Sequence, residues 1–257
     1  EERQHIDRSL WNKAGELGLL CSTMPEEYGG SGVDRLYSVI MMEEQARAGD
    51  SASGFSLHSD IVANYLNNFA TEELKQKWLP KMASGEAVGS IAMTEPGTGS
   101  DLQAVRTSAI ADGDDYIVNG SKIFITNGYL CDISVVVVKT GDPSKGAESI
   151  SLLLIEADRP GFSKGRPLKK VGMKGQDTCE LFFDNVRVPK SNLIGMEGMG
   201  FIMLMKELAW ERLMIAIMCA SGCEQVLAHT LAYVRDRKVF GKPVAAYQNT
   251  KYKLAEL

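Results

Sequence analysis

Near the start of the chain, Ile6, Leu10, Ala14 and Leu17 recur at three- and four-residue intervals, and Gly18 follows them. That spacing predicts an amphipathic helix with a stop signal. Pro25-Glu-Glu-Tyr-Gly-Gly-Ser-Gly32 then reads as a loop. Further helical stretches are expected over roughly 34–48 and 60–69, and another from Thr71, where Glu72 and Glu73 suit a helix N-terminus. From Ala87 to Pro189 the period shortens to that of strands. Asp115-Tyr-Ile-Val, Asn119-Gly120 and Ser121-Lys-Ile-Phe-Ile-Thr126 predict a hairpin with a type I′ turn, because Asn-Gly tolerates positive φ. Ser134-Val-Val-Val-Val, Ser151-Leu-Leu-Leu-Ile and Glu180-Leu-Phe-Phe add short β-rich runs, and no helical pattern separates them. This predicts an antiparallel barrel or sandwich rather than an alternating α/β sheet. Beyond Gly195-Met-Glu-Gly-Met-Gly200 a helical pattern runs to about Val239, Phe240-Gly-Lys-Pro243 interrupts it, and a last helix begins. The expected class is α+β multidomain, with an N-terminal α-helical domain over 1–86, a central antiparallel β-barrel domain over 87–192 and the start of a C-terminal helical bundle over 193–257.

Composition narrows the class of molecule. A chain of 257 residues that is 44% hydrophobic and 24% charged is an ordinary globular chain, which excludes disordered, collagen-like and coiled-coil readings. A net charge of -5 lacks the electrostatic footprint of a nucleic-acid binder. Cys21, Cys131, Cys179, Cys219 and Cys223 are scattered and odd in number, so they form no disulfide framework and point to a reducing compartment. The most apolar stretch, Phe201 to Cys223, is broken by Lys206, Glu207, Glu211 and Arg212, which makes it a poor candidate for a membrane span. The chain opens on Glu1 and closes at Leu257 inside a helical pattern, so a fragment is expected.

Several segments could carry chemistry. Met93-Thr-Glu-Pro-Gly-Thr-Gly-Ser-Asp101 follows an apolar strand, and successive N–H groups in such a turn converge on anions, with Thr94, Thr98 and Ser100 as hydroxyl donors. The turn leads into more strand than helix, so the Rossmann context is missing, and a plain tight loop is the commoner reading. In Phe124-Ile-Thr126-Asn-Gly128 an aromatic and a hydroxyl stand two apart on one strand face, fit either to receive a flat ring or to fill a core. Glu211, in Trp210-Glu-Arg212, falls on the stripe of Leu204, Leu208, Ile215 and Gly222. A carboxylate there serves as a general base of raised pKa or as an ion-pair partner, and periodicity alone does not choose. Arg235-Asp-Arg237-Lys-Val-Phe240-Gly-Lys-Pro243 could hold a phosphate or form a solvated surface. The basic stretch Lys164 to Lys174 reads as solvated surface more readily than as a partner site. Cys219 and Cys223, four apart on a helix, could be metal ligands, but with no His or second Cys pair near them they read as small residues of a helix packing face. His5, His58 and His229 form no constellation.

Together, Ala92-Met-Thr-Glu-Pro-Gly-Thr-Gly-Ser-Asp101, Asn119-Gly-Ser-Lys-Ile-Phe-Ile-Thr-Asn-Gly128, Gly172-Met-Lys-Gly-Gln-Asp-Thr and Arg237-Lys-Val-Phe-Gly-Lys-Pro with Gln248 resemble the acyl-CoA dehydrogenase family, over essentially the whole chain. The long-chain and isovaleryl-type members are the nearest in pattern. The resemblance implies an FAD enzyme without a Rossmann domain that converts a fatty acyl-CoA to a trans-2-enoyl-CoA and passes electrons to an electron-transfer flavoprotein. It implies flavin contacts from Ile91, Met93, Thr94, Gly99, Ser100, Phe124, Ile125 and Thr126. Arg237, Phe240 and Gln248 resemble residues that reach FAD across a subunit interface, so a homodimer or homotetramer is expected. Ile91 and Phe124 stand where several relatives carry Tyr and Trp. Glu211 before Arg212 resembles the catalytic base of the long-chain and isovaleryl-type enzymes, with Ser100, Ala209, Trp210 and Arg212 beside the acyl-CoA. An oxygen-using acyl-CoA oxidase-like enzyme and a catalytically silent binding member of the fold are the alternatives. The compartment implied is cytoplasmic for a bacterium and the mitochondrial matrix for a eukaryote.

Overall fold

The computed structural model describes residues 2–257. The helices are α1 (Arg8–Glu16), α2 (Arg35–Arg47), α3 (Ala63–Phe69), α4 (Glu72–Ala83), α5 (Gly200–Asp236) and α6 (Gln248–Glu256). The main strands are β1 (Gly89–Ala92), β2 (Ser108–Asp112), β3 (Asp115–Thr126), β4 (Ile133–Lys139), β5 (Ile150–Glu156), β6 (Phe162–Lys164), β7 (Thr178–Pro189) and β8 (Leu193–Ile194). Lys238–Val239 (β9) and Lys242–Pro243 (β10) form a separate small ribbon. The chain divides into two compact units, one of residues 1–38 and 51–212 and the other of residues 39–50 and 213–257.

In the first unit, α1 ends where expected, at Gly18 with φ +69°, but it buries Trp11 and Ala14 and leaves Leu10 and Leu17 exposed. The indole, not the leucine stripe, supplies the apolar face. Thr71 caps α4 by accepting the Leu74 N–H, with Glu72 and Glu73 in the first turn. One turn of π-helix, Leu57–Val62, runs directly into α3.

The sheet runs in the order β6-β7-β3-β2-β4-β5-β8, and β1 adds to β4. The middle region is the expected β domain, but its sheet does not close into a barrel. β6 and β8 are open edges, and β4 pairs in parallel with β1 and with one residue of β2. Every residue of β4 and β5 is buried. Ile133, Val135, Val137, Ile150, Leu152 and Leu154 join a core cluster with Tyr65, Leu66 and Leu79, whereas Val136, Val138, Leu153 and Ile155 join one with Val118, Leu181 and Val186. Burial of both faces explains why these strands read as continuous apolar runs rather than alternations.

The expected hairpin at Asn119-Gly120 does not form. β3 passes straight through that dipeptide, with a register shift against β7 between Val118 and Gly120. A side chain at Gly120, whose φ is +149°, would meet Thr107 Oγ1 at 2.5 Å, so the glycine serves close approach rather than a turn. The hairpin that exists joins β2 to β3 through Gly113-Asp114, where only Gly113 has positive φ, the type II′ pattern. Positive φ at two successive loop residues, the type I′ pattern, occurs between β9 and β10, at Phe240 and Gly241.

Buried positions along α5 include Met203, Leu204, Glu207, Trp210, Met214 and Ser221, while Ile215 is exposed and Glu211 half-buried. The stripe thus runs one position earlier than the expected one and places Glu211 on its margin. Cys219 and Cys223 are exposed, so they are not packing residues among the described residues. By length and composition alone, α5 is long and apolar enough to cross a membrane, which the charges of its first half did not suggest. The apolar surplus lies beyond Arg212.

Candidate active site

Lys122 organises the Gly-rich turn. Its ammonium is fully buried and donates to Glu95 Oε1 at 2.8 Å and to the Met93 carbonyl at 3.0 Å. The Glu95 carboxylate also accepts the Arg106 and Thr107 N–H groups. Burial opposes ionisation of Glu95, but Lys122 and the Thr107 donors outweigh it and hold the carboxyl below its ordinary pKa. Burial pulls Lys122 down to about 8, against the attraction of Glu95. The turn is closed by reciprocal Glu95–Thr98 main-chain hydrogen bonds, and the Thr94 carbonyl accepts the Ile123 N–H at 2.9 Å. This last bond brings Thr94 alongside the end of β3.

That end is bulged. The register against β7 shifts between Lys122 and Ile125, and Phe124 takes φ +63°. Simple alternation would put Lys122, Phe124 and Thr126 on one face. The bulge instead leaves Lys122 buried, Phe124 63% exposed and Thr126 half-buried. A bulky residue at positive φ is a strained arrangement, and here it presents the aromatic ring to solvent.

The structure therefore brings Thr94 alongside the end of β3 that carries Phe124 and Thr126. Gly99 and Ser100 are exposed, and the N–H groups of Gly97, Gly99 and Ser100 have no acceptor among the described residues. Cβ atoms added at Gly97 or Gly99 would meet nothing within 4 Å. Free N–H donors on an open turn, an exposed ring and a hydroxyl fit a phosphate-bearing cofactor with a flat ring. Ile91 and Met93 are half-buried against the helical core cluster, and Ile125 is buried in the other, so a cofactor contact from Ile125 would come from its main chain. Arg237, Phe240 and Gln248 belong to the second unit, where all three are exposed.

A second group gathers on α5. The Tyr65 hydroxyl, from α3, donates to Glu211 Oε1 at 2.9 Å. One turn earlier Glu207 is buried and accepts from Asn68 Nδ2 at 2.8 Å. Burial raises the pKa of Glu211, the Tyr65 bond lowers it, the Glu207 charge raises it and Arg212 lowers it, for a net rise. Trp210 is buried under the Arg35 guanidinium, 4.6 Å from the ring centroid, while Ala209 and Arg212 are exposed.

The two groups are joined through the helical segment 57–69. His58, fully buried, accepts the Gly89 N–H at Nδ1 (3.0 Å), so its Nε2 carries the proton and donates to the Met82 carbonyl (3.1 Å). Burial holds this imidazole neutral, with a pKa lowered to about 4. Gly89 opens β1, which leads into the Gly-rich turn, and α3 delivers Tyr65 to Glu211.

Family models settle the lineage. Residues 1–86 match the acyl-CoA dehydrogenase N-terminal domain, 90–186 the middle domain and 198–257 the C-terminal domain. The chain belongs to the acyl-CoA dehydrogenase family. It is 50% identical to the long-chain specific acyl-CoA dehydrogenase, mitochondrial, of Rattus norvegicus, over all of this chain and 60% of the rat protein. The crystal structure of an acyl-CoA dehydrogenase from Geobacillus kaustophilus superposes with a TM-score of 0.96 at 50% identity, covering 99% of this chain and 67% of that one. A glutaryl-CoA dehydrogenase from Mycobacterium smegmatis, solved in complex with FADH2, gives a TM-score of 0.90 at 32% identity, over 99% of this chain and 64% of that one. The family is one of FAD-binding oxidoreductases.

Lys122, Glu95, Tyr65, Asn68 and Glu207 were not singled out from the sequence. Lys122 had a signal, because it shares the inward register of Tyr116 and Val118. Tyr65 had none, since nothing local pairs it with a residue 146 positions away.

Proposed function

We propose that the protein containing this chain oxidises a fatty acyl-CoA between its α- and β-carbons, with FAD as cofactor and Glu211 as the base that takes the α-proton. The observation that carries the reading is the half-buried Glu211 carboxylate, held by Tyr65 and raised in proton affinity by burial and by Glu207. A carboxylate so placed is matched to removing a weakly acidic C–H proton. The thioester enolate that develops needs hydrogen-bond donors at its carbonyl oxygen. FAD, when bound, supplies the acceptor for the hydrogen leaving the β-carbon and donors near that oxygen.

The chain's residues divide the remaining work. Thr94 and Thr126 would hydrogen-bond the edge of the flavin, Phe124 would cover its ring, and the free N–H groups of Gly99 and Ser100 would meet the pyrophosphate. Ile91 and Met93 would support the ring from the core side. Arg237, Phe240 and Gln248 would serve the FAD of a partner subunit in a homo-oligomer. Ser100, Ala209, Trp210 and Arg212 would line the acyl-CoA. In this reading α5 is a bundle helix of the C-terminal domain, whose first part is the segment 193–257, and not a membrane span.

The experiment is anaerobic mixing of the full-length, FAD-loaded protein with acyl-CoA esters of graded length and branching. The name of the rat relative makes straight long-chain esters the first to try. Bleaching of the flavin band with enoyl-CoA formation, and electron transfer to electron-transfer flavoprotein without peroxide, are expected. Stoichiometric peroxide in air would mark an oxidase, and a colourless protein that gains no thermal stability from added FAD would mark a silent member.

A further inference from the structure

Tyr65 has no part in the expected chemistry, yet its phenol is the one side-chain hydrogen-bond partner that Glu211 has among the described residues. The tyrosine is fully buried, packed in the helical core cluster with its ring 6.1 Å from that of Phe69. A side chain so enclosed has little rotamer freedom, so the position of its hydroxyl is set by the core rather than by the ligand. Its bond goes to Oε1 alone, and among the described residues Oε2 of Glu211 accepts no hydrogen bond.

We propose that Tyr65 is the positioning residue of the Glu211 base: its phenol clamps Oε1, opposes the repulsion from Glu207 and leaves Oε2 as the oxygen that meets the substrate. This rests on the reading of Glu211 as the base. Glu207, four residues away on the same helix face, is itself buried and held by Asn68, so it cannot swing clear of Glu211. The Glu207 carboxylate disfavours the charge on Glu211, and the Tyr65 donor favours it. The charged and titratable groups around Glu211 are Tyr65 from α3 and Glu207 and Arg212 from α5, while Arg35 from α2 is engaged on the Trp210 ring. Burial and the neighbouring carboxylates push the Tyr65 phenol far above its ordinary value, so it remains a donor throughout the working pH range. Tyr65 and Glu207 therefore act on Glu211 in opposite directions, one through a fixed donor and the other through a fixed charge.

The test compares Tyr65→Phe and Glu207→Gln in the full-length, FAD-loaded enzyme by two measurements. The first is infrared difference titration of the Glu211 carboxyl, assigned by its disappearance in Glu211→Gln. The second is the acid limb of the kcat/KM pH profile. Loss of one hydrogen bond to a partly exposed carboxylate corresponds to a shift of about one pH unit. In Tyr65→Phe both measurements should move upward by that amount, and in Glu207→Gln both should move downward. A merely structural role for Tyr65 would lower the rate without moving either midpoint. An unmoved carboxyl midpoint in Tyr65→Phe with the flavin still bound overturns the proposal. Undiminished flavin bleaching by Glu211→Gln overturns instead the base assignment on which it rests.

Discussion

Replacing Lys122 by methionine keeps most of the side-chain volume and removes the charge. The substitution strands Glu95, whose carboxylate is buried and pairs with the ammonium at 2.8 Å, and it frees the Met93 carbonyl. Removing one partner of a buried ion pair costs about 3 to 5 kcal/mol, because the remaining charge stays desolvated. Glu95 would retain the Arg106 and Thr107 N–H bonds, which places the expected cost at the lower end, about 3 kcal/mol. In a folded body of this size that corresponds to a fall in Tm of roughly 6 to 12 °C. Urea unfolding of Lys122→Met, Glu95→Gln and the double variant reads the coupling directly. The double variant should be more stable than Lys122→Met, since a neutral amide at position 95 no longer needs a cation. Lys122→Met within about 1 kcal/mol of wild type, or a double variant that loses the full sum of the single losses, would refute the view that the pair anchors the Gly-rich turn.

Further outcomes follow from the same geometry. His58 is neutral in the folded state down to about pH 4, whereas an unfolded histidine protonates near 6.5. Its contribution to stability is complete above pH 6.5 and is lost as pH falls towards 4, about 3 kcal/mol in all. Unfolding free energies measured between pH 7 and 4 should therefore fall more steeply for wild type than for His58→Gln, and parallel curves would count against a neutral buried ring. Asp60, raised by burial to about 6, works in the opposite sense but is common to both proteins and cancels in the comparison. Gly120→Ala places a methyl group 2.5 Å from Thr107 Oγ1 and should lower stability by about 2 kcal/mol, measured by urea unfolding, with a neutral result denying the close approach. A thiol reagent should modify Cys219 and Cys223 of the 257-residue chain quickly and spare the buried Cys21, Cys131 and Cys179, the first and last of which burial pushes up to about 12. Fast modification of all five would contradict that packing.

Local patterns carried much of this fold. The capped start of α4, the stop at Gly18 and the change from helical to strand spacing near Ala87 depend on neighbouring residues, and they appear where the spacing predicts. The failures have a common cause in tertiary context. Asn119-Gly120 carries turn chemistry, but Thr107 needs a residue without a side chain opposite it, and β7 pairs across the dipeptide. The barrel expectation lacked the parallel addition of β1 to β4, which no local pattern encodes. Lys164 and Lys170 read as solvated charges, yet their ammonium groups are pinned to the Cys131 and Gln176 carbonyls. Among the residues named from motif resemblance, Thr94, Gly99, Ser100, Phe124 and Thr126 lie along one turn and the end of β3, whereas Lys122–Glu95 and Tyr65–Glu211 join positions 27 and 146 residues apart. Separations of that kind are set by packing.

In the proposed function, Glu211 removes the α-proton of an acyl thioester in an FAD-bound site. Anaerobic single-turnover mixing of the full-length, FAD-loaded protein with a long-chain acyl-CoA, wild type against Glu211→Gln, isolates that step. Flavin bleaching should be rapid in wild type and slowed on the order of 10²-fold or more in the variant, with FAD and acyl-CoA still bound. Bleaching at the wild-type rate in Glu211→Gln would contradict that role for Glu211.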